Sequence, residues 1–296
     1  MALLLVLWGI AITGITVMGL IQLTQMGMRD ITDMERYERA LYLAQSGINI
    51  ATHAEVQPSD PLLKGRWNES ETYEVVIRGE EGRFPVHTLL KEEYRPIWQR
   101  LFQQWNLSAT EADTVLDCLL DWTQPGNGKR LNGATRGDYI RAGLPYEPTG
   151  KPFTSLAEMS QVLQFSLLSR KKPDWEEIFT LRGNGRIDVN ECPADLLVAV
   201  LHVAPSQARS LIEYRKGPDG IAGTDDDVRF ESLQQVQKFL GISDENFSRV
   251  SPLLQVQSSV LRIQSYGQAY GKTVQISAAV QRANARPPVI YEWNIR

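Results

Sequence analysis

MALLLVLWGIAITGITVMGLIQLTQMGM, residues 1–28, contains no Asp, Glu, Lys, Arg or His, and RDITDMERYERALYLAQSGINIA, residues 29–51, sets charges on one helical stripe and apolar residues on another. As a helix the uncharged run extends about 42 Å, more than the roughly 30 Å of bilayer hydrocarbon, so it is long enough to span. Past Arg29, the residues Ile31, Met34, Tyr37, Leu41, Ala44, Ile48 and Ala51 recur at steps of three and four. Asp30, Asp33, Glu35, Arg36, Glu38 and Arg39 take the other face, and no proline occurs before Pro58. The pattern predicts one unbroken helix, half membrane and half soluble, reaching about 80 Å if it runs to Glu55. Its soluble half lays its apolar stripe on a folded domain. A cleaved signal peptide would show a basic start, a shorter apolar core and an A-x-A-like site, and none is visible.

Arg29, Arg36 and Arg39 follow the span and nothing basic precedes it, which read literally places the soluble part in the cytoplasm. A chain whose first residue already lies inside the apolar run instead implies a short basic leader ahead of it.

The 296 residues, 43% hydrophobic, suffice for one membrane segment and one or two soluble domains. A net charge of −4 gives no electrostatic case for a nucleic-acid partner. Cys118 and Cys192 allow one bridge at most, so this is no disulfide scaffold. Cys118 lies in the apolar run Val115–Leu120, where a buried free thiol is the ordinary reading, and spacing alone does not establish a bridge.

After a loop at Gln57–Gly65, the segment Thr72–Arg78 reads as a strand, Gly79–Gly82 as a turn and Arg83–His87 as a short extended piece. Residues 91–122 read as helical, with Ile97, Leu101, Phe102 and Trp105 on one stripe and Ser108 as a cap. The Gly- and Pro-rich stretch Gln124–Pro152 is a long irregular connection of the kind that is functional or ion-stapled. Ser155–Leu168 and Trp175–Leu181 are further helix candidates. Gly185–Asn190 echoes Gly82–His87, each ahead of a helix pair, the second pair being Ala194–His202 and Ser206–Arg215. Val260–Gly267, Lys272–Arg282 and Val289–Ile295 alternate as strands, with the first turn at Ala269–Lys272. Strands at both ends of the soluble part, with helices between them, suggest one sheet whose edges meet in space and a helical middle inserted between strands.

The sharpest local signal is Gly217–Asp227 (GPDGIAGTDDD), a turn-rich loop with four carboxylates within nine positions. Like charges this close repel unless a cation gathers them, and Ca²⁺ accepts oxygens from such flexible loops. The glycines permit the tight path, although the spacing is not that of an EF-hand. A solvated acidic turn is the plain alternative. The pair Val189–Leu197 and Leu211–Arg215 also looks like a helix-hairpin-helix, a module that often binds DNA phosphates. Its turn here is Leu201–Pro205, with no glycine and with Pro205 lacking an N–H, so the usual phosphate cradle cannot form. A membrane-anchored DNA-uptake or DNA-binding receptor is the second reading. No enzyme motif surrounds His53, His87 or His202, and the tryptophans read as packing anchors, with Trp98 and Trp105 on one helix face.

Taken in order, the opening Ala2–Leu7, Ala44–Gly47, Gly82–Phe84, Leu120–Trp122, Leu144–Tyr146, Phe153–Met159, Gly185–Asn190 and Tyr214–Arg215 resemble the K-type minor pseudopilins of bacterial type II secretion, the general secretion pathway protein K family. The resemblance implies an α+β fold: a pilin-like long N-terminal helix on a small antiparallel sheet, with a large all-α domain inserted between strands. Its segments would be 1–28 (membrane half of the helix), 29–90 (first pilin-like part), 91–256 (inserted helical domain) and 257–296 (C-terminal strands). It implies a subunit that caps or initiates the pseudopilus tip and supports protein export. The subunit would be anchored once in the bacterial inner membrane, with its soluble part in the periplasm. Implied partners are the I- and J-type minor pseudopilins, other pseudopilins and the inner-membrane assembly platform, with no nucleic acid and no catalysis.

The acidic loop also resembles that family's calcium loop, which makes Asp219, Asp225 and Asp227 the expected Ca²⁺ ligands, with Thr224 or Ile221 supplying a further oxygen. Leu3, Leu7, Ile10, Ile31, Met34, Tyr37 and Leu41 are the expected membrane and assembly face. Typical pilins carry a Glu early in the membrane helix that is thought to neutralise a neighbour's amino terminus. Residues 1–28 offer no carboxylate, which suits a subunit with nothing above it. Where the family often has acidic residues, this chain has Thr123-Gln124 and Thr135-Arg136, which speaks against an ion site there.

Overall fold

A computed structural model describes residues 2–126, 128–282 and 286–296. The apolar-then-amphipathic pattern becomes a single helix, α1 (Ala2–Ala51), 50 residues and about 75 Å long. It stops four residues short of Glu55. The Arg282 guanidinium donates to the carbonyls of Val56, at 2.7 Å, and Ala51, so a cation satisfies orphan acceptors where the helix ends. The N-terminal half projects with Leu3, Leu7, Ile10, Ile15 and Leu20 exposed. Among the described residues no helix is long and apolar enough to cross a membrane. The side chains at 2, 4, 5, 11, 23 and 25–31 lie outside the described residues, and the expected assembly residue Ile31 falls there.

From Ala40 the helix packs: Ala40, Ala44, Ile48 and Ala51 are buried against the sheet, and Leu41 is partly buried beside them. The expected stripe is therefore shorter than its periodicity, because Met34 and Tyr37 remain exposed. The reason is reach: Ala40 packs on Ala269 and Val274, at the end of the sheet, and nothing in the core clusters lies beyond them.

The chain continues through β1 (Lys64–Asn68) and β2 (Glu71–Gly79). Residues 80–260 then form a mainly helical body of two lobes. The first opens with β3 (Phe84–Pro85) and runs through α2 (Val86–Leu89), α3 (Arg95–Gln104), α4 (Ala109–Thr123), α5 (Arg136–Arg141), α6 (Leu156–Met159) and α7 (Ser166–Lys171) to β4 (Phe179–Thr180). The second opens with β5 (Ile187–Asp188) and runs through α8 (Ala194–Leu201), α9 (Pro205–Arg215), α10 (Leu233–Leu240) and α11 (Asp244–Val250) to β6 (Leu254–Gln255). Each lobe is closed by a parallel two-residue ladder, Phe84 and Pro85 on Phe179 and Thr180, then Ile187 and Asp188 on Leu254 and Gln255. The echo between Gly82–His87 and Gly185–Asn190 thus marks the same place in both lobes. These ladders also correct the expectation of an all-α body.

The chain returns through β7 (Leu261–Ala269), β8 (Lys272–Gln281) and β9 (Val289–Ile295). The sheet order is β1-β2-β7-β8-β9 with every neighbour antiparallel, so β2 and β7 pair although residues 80–260 separate them. Helix and sheet approach closely where α1 crosses β7. A Cβ on Gly267 would overlap the Ala40 carbonyl oxygen and lie 2.5 Å from the Ala44 nitrogen.

Ser108 does cap α4, in a reciprocal box with Glu111: the Glu111 N–H donates to Ser108 Oγ, and the Ser108 N–H donates to Glu111 Oε2 at 2.8 Å. Other expectations shift. The helix read over Ser155–Leu168 is two short helices, α6 and α7, separated where Gln164 takes φ +66°. Over Trp175–Leu181 the chain makes a 3₁₀ turn, Trp175–Glu177, and then β4. Strand β1, in what read partly as a loop, and helices α10 and α11 were not legible.

Two apolar cores result. One holds α1 and the sheet through Ile48, Val75, Ile77, Ile263, Ile276 and Val280. The other fills residues 84–254 and is rich in aromatic rings, among them Phe84, Trp98, Phe102, Trp105, Phe165, Trp175 and Phe179. Core residues Phe84, Val86 and Leu89 belong to this second cluster, so the helical body begins about ten residues before the sequence boundary at 91.

Candidate functional site

The acidic loop hangs from the end of α9 and is tied to it where the Val228 N–H donates to the Arg215 carbonyl at 2.9 Å. Gly217, Gly220 and Gly223 take positive φ, and a Cβ at Gly217 would come within 2.7 Å of the Asp226 carbonyl carbon. The path therefore requires glycine there.

The carboxylates turn inward on the backbone. Asp219 Oδ1 accepts from the Ile221 N–H at 2.7 Å, and Asp227 Oδ2 accepts from the Gly223 N–H at 2.6 Å. Asp226, which the sequence reading left out, is the clamp: Oδ2 accepts from the Asp219 N–H at 2.9 Å and Oδ1 from the Thr224 hydroxyl at 2.7 Å. The Thr224 hydroxyl also reaches the Ile221 carbonyl at 3.0 Å, which places two expected oxygen donors side by side. That hydroxyl, followed by the Asp219 N–H, holds the Asp226 carboxyl below its usual range. Asp225 is exposed, and Asp227 Oδ1 is buried with no hydrogen-bond partner. Among the described residues no three His, Cys, Asp or Glu side chains stand together as a metal-holding group. The loop faces the sheet across a cleft of about 690 Å³ whose walls include Arg78, Asp225, Asp227, Arg229 and Arg282.

At the helix-hairpin-helix turn, His202 ends α8 in the left-handed region at φ 54°, and Pro205 opens α9. The Ala204 N–H donates to the Gln207 side chain at 2.9 Å, so this backbone donor is used internally. Cys118 and Cys192 are both buried and free, and burial pushes each thiol up to about 12. Trp98 and Trp105 do lie in the core, in edge and stacked contact with Phe84, Phe102 and Phe179.

Residues 82–172 match the family model described as type II secretion system (T2SS), protein K. This stretch belongs to the protein K family. The fold matches more widely. A crystal structure of the GspK-GspI-GspJ complex from the enterotoxigenic Escherichia coli type 2 secretion system aligns with a TM-score of 0.67 at 14% identity, covering 90% of this chain and 99% of that one. No curated protein sequence matches the chain.

Within the protein K stretch, the irregular connection after α4 is stapled by cationic side chains. Arg130 Nη1 donates to Asp121 Oδ1 at 2.7 Å and the Arg130 N–H to Oδ2 at 3.1 Å. Asp117 accepts from Arg95 at 2.6 Å and from both the backbone and side chain of Asn132. Lys129 pairs with Asp138 at 3.1 Å; the Thr135 N–H, then Lys129, hold that carboxyl well below the usual range. Where the sequence pointed to a functional or ion-stapled connection, the structure shows arginine and lysine side chains holding it.

Sequence reasoning missed the most buried acidic residues. Glu80 and Glu81 read as turn residues, yet both are buried, as is Asp188. Two adjacent acids between Gly79 and Gly82, directly after a strand, were the available signal.

Proposed function

We propose that the chain is a minor pseudopilin that initiates or caps the tip of a type II secretion pseudopilus. The observation that carries this is the placement of the helical body that contains the stretch matching protein K. It leaves the sheet at Gly79 and returns at Leu261, at the end where α1 finishes, while the apolar half of α1 projects from the other end. A helix so exposed suits burial in lipid and among sister helices, with a span near residues 1–28 and the folded part in the periplasm. The helical body between adjacent strands would be the inserted domain of a pilin-like fold and would block further subunits from adding above. Packing is the whole mechanism, and no bond is made or broken.

The GspK-GspI-GspJ complex supports I- and J-type pseudopilins as partners; we further propose other pseudopilins and the inner-membrane assembly platform. Stable ternary association of the purified chain with those two partners is the expected result. Retention on DNA at low salt without such association would favour the DNA-uptake receptor instead.

The oxygen-only donor set of the acidic loop, and the buried, unpartnered Asp227 Oδ1, fit a hard cation. Asp219, Asp225 and Asp227 would hold Ca²⁺ with the Thr224 hydroxyl or Ile221 carbonyl, and the ion would rigidify the loop. Chelation is expected to lower the melting temperature of the parent, and Asp225→Ala with Asp227→Ala to remove that response. A melt indifferent to chelator would overturn the site.

A further inference from the structure

The sheet core and the core of the helical body are separate clusters, so no shared apolar interface fixes how one sits on the other. Between them run polar contacts. Arg262 on β7 pairs with Glu177, Arg296 with Glu176 at 3.4 Å, and Arg182 with Glu292 at 3.9 Å. In each pair at least one partner is substantially exposed, so salt screens it. Polar seams of this sort leave relative motion as the default.

Glu81 is the exception, at 1% exposure. Its Oε1 accepts from the Asn184 N–H at 2.9 Å and the Ser259 hydroxyl at 2.7 Å. Its Oε2 accepts from the Ser259 N–H and, at 3.4 Å, the Val260 N–H. These donors come from two places: the strap between the lobes and the segment returning into β7. A Cβ on Gly183 would sit 2.8 Å from Oε1, so the strap is shaped around this carboxylate. Around it, the Glu80 N–H donates to the Val260 carbonyl at 2.9 Å, Arg83 donates to Glu80 Oε1 at 2.7 Å, and the Ser258 hydroxyl donates to Asp188 at 2.8 Å.

We propose that the Glu81 carboxylate is the lock that fixes the orientation of the helical body on the sheet. One buried charge ties together the exit from β2, the inter-lobe strap and the return into β7. Charge-assisted bonds of this kind are strong and geometrically demanding. Without the charge, the screened pairs and the few bonds of Glu80 and Asp188 hold the seam, and the body swings as a unit while both cores stay packed.

The test uses the full chain in detergent micelles with spin labels at Lys272→Cys, on the β7–β8 hairpin, and Arg170→Cys, on α7. Both positions are exposed, and the buried native thiols do not compete for label. Double electron–electron resonance is expected to give a narrow distance distribution for the parent, unchanged as sodium chloride is raised. Glu81→Gln is expected to broaden it at least twofold with both core melting transitions retained. An unchanged width in Glu81→Gln would overturn the lock, as would broadening of the parent by salt alone. If Glu81→Gln fails to fold, Glu81→Asp keeps the charge but, one methylene shorter, cannot reach the strap and the returning segment together. Broadening there supports the lock, and an unchanged distribution overturns it.

Discussion

The two cores of this molecule are built on opposite economies of volume. Where α1 meets the sheet, Ala40, Ala44, Gly47, Ala51, Gly267 and Ala278 let backbones approach, and Gly47 sits directly over Ser265 and Val75. In the helical body, a run of touching rings from Phe165 through Trp175, Phe179 and Trp98 to Phe102 and Trp105 fills the space instead. A small-residue core is intolerant of added volume and an aromatic core of lost volume. The same kind of substitution should therefore fail for different reasons in the two places.

The largest expected effect is Trp98→Ala. The ring is fully buried and its Nε1–H donates to the Leu89 carbonyl at 2.6 Å, so truncation should cost about 3–5 kcal/mol. Calorimetry should show the transition of the helical body lowered and that of the sheet unmoved; equal shifts in both would break the two-core description. Next is Arg130→Ala, which leaves the Asp121 side chain, 2% exposed, without its charged partner. Because Arg130 is itself 20% exposed, the loss should be roughly 2–3 kcal/mol, below that of a wholly buried pair. Proteolysis of the connection after α4 should accelerate with it.

Gly267→Ala should lower only the sheet transition, by roughly 1–3 kcal/mol, because the added methyl meets backbone atoms of α1 that no rotamer change can move. Smallest is Asp188→Asn, expected within about 1 kcal/mol at neutral pH. Burial raises the Asp188 pKa, while the bonds from the Asn190 N–H and the Ser258 hydroxyl oppose the shift. The unfolded chain therefore loses this proton at lower pH than the folded one. Stability from this group is highest below its ordinary carboxylate range and falls as pH rises through the folded value. The asparagine variant should flatten that fall, which a pH series of urea melts would measure.

The fold was legible where periodicity was long. Fifty residues of α1 and the strands β2, β7, β8 and β9 are set by their own apolar patterns, and their ends moved by only a few residues. Strand β1 escaped because its residues, Lys64–Asn68, are exposed or half-exposed and polar, with only Trp67 to mark it. The break near Gln164 escaped because it goes with a non-local bond, the Tyr139 hydroxyl accepting the Leu163 N–H at 2.7 Å. The acidic loop was legible as a cluster, but the clamp by Asp226 depends on which carboxylate faces inward, and spacing does not encode that. The pairing of Glu81 was illegible for the same reason, since its partners lie 103 and 178 residues away.

The unbroken course of α1 has a mechanical corollary. No proline interrupts it, and its hydrogen-bonded ladder runs from the projecting arm to the last residue packed on the sheet. A rigid rod of this kind transmits torque: turning the arm about its axis turns the folded part with it, degree for degree. Each residue added to or deleted from the segment between Met28 and Ala40 would then rotate the distal knob by about 100° and shift it by about 1.5 Å relative to its neighbours.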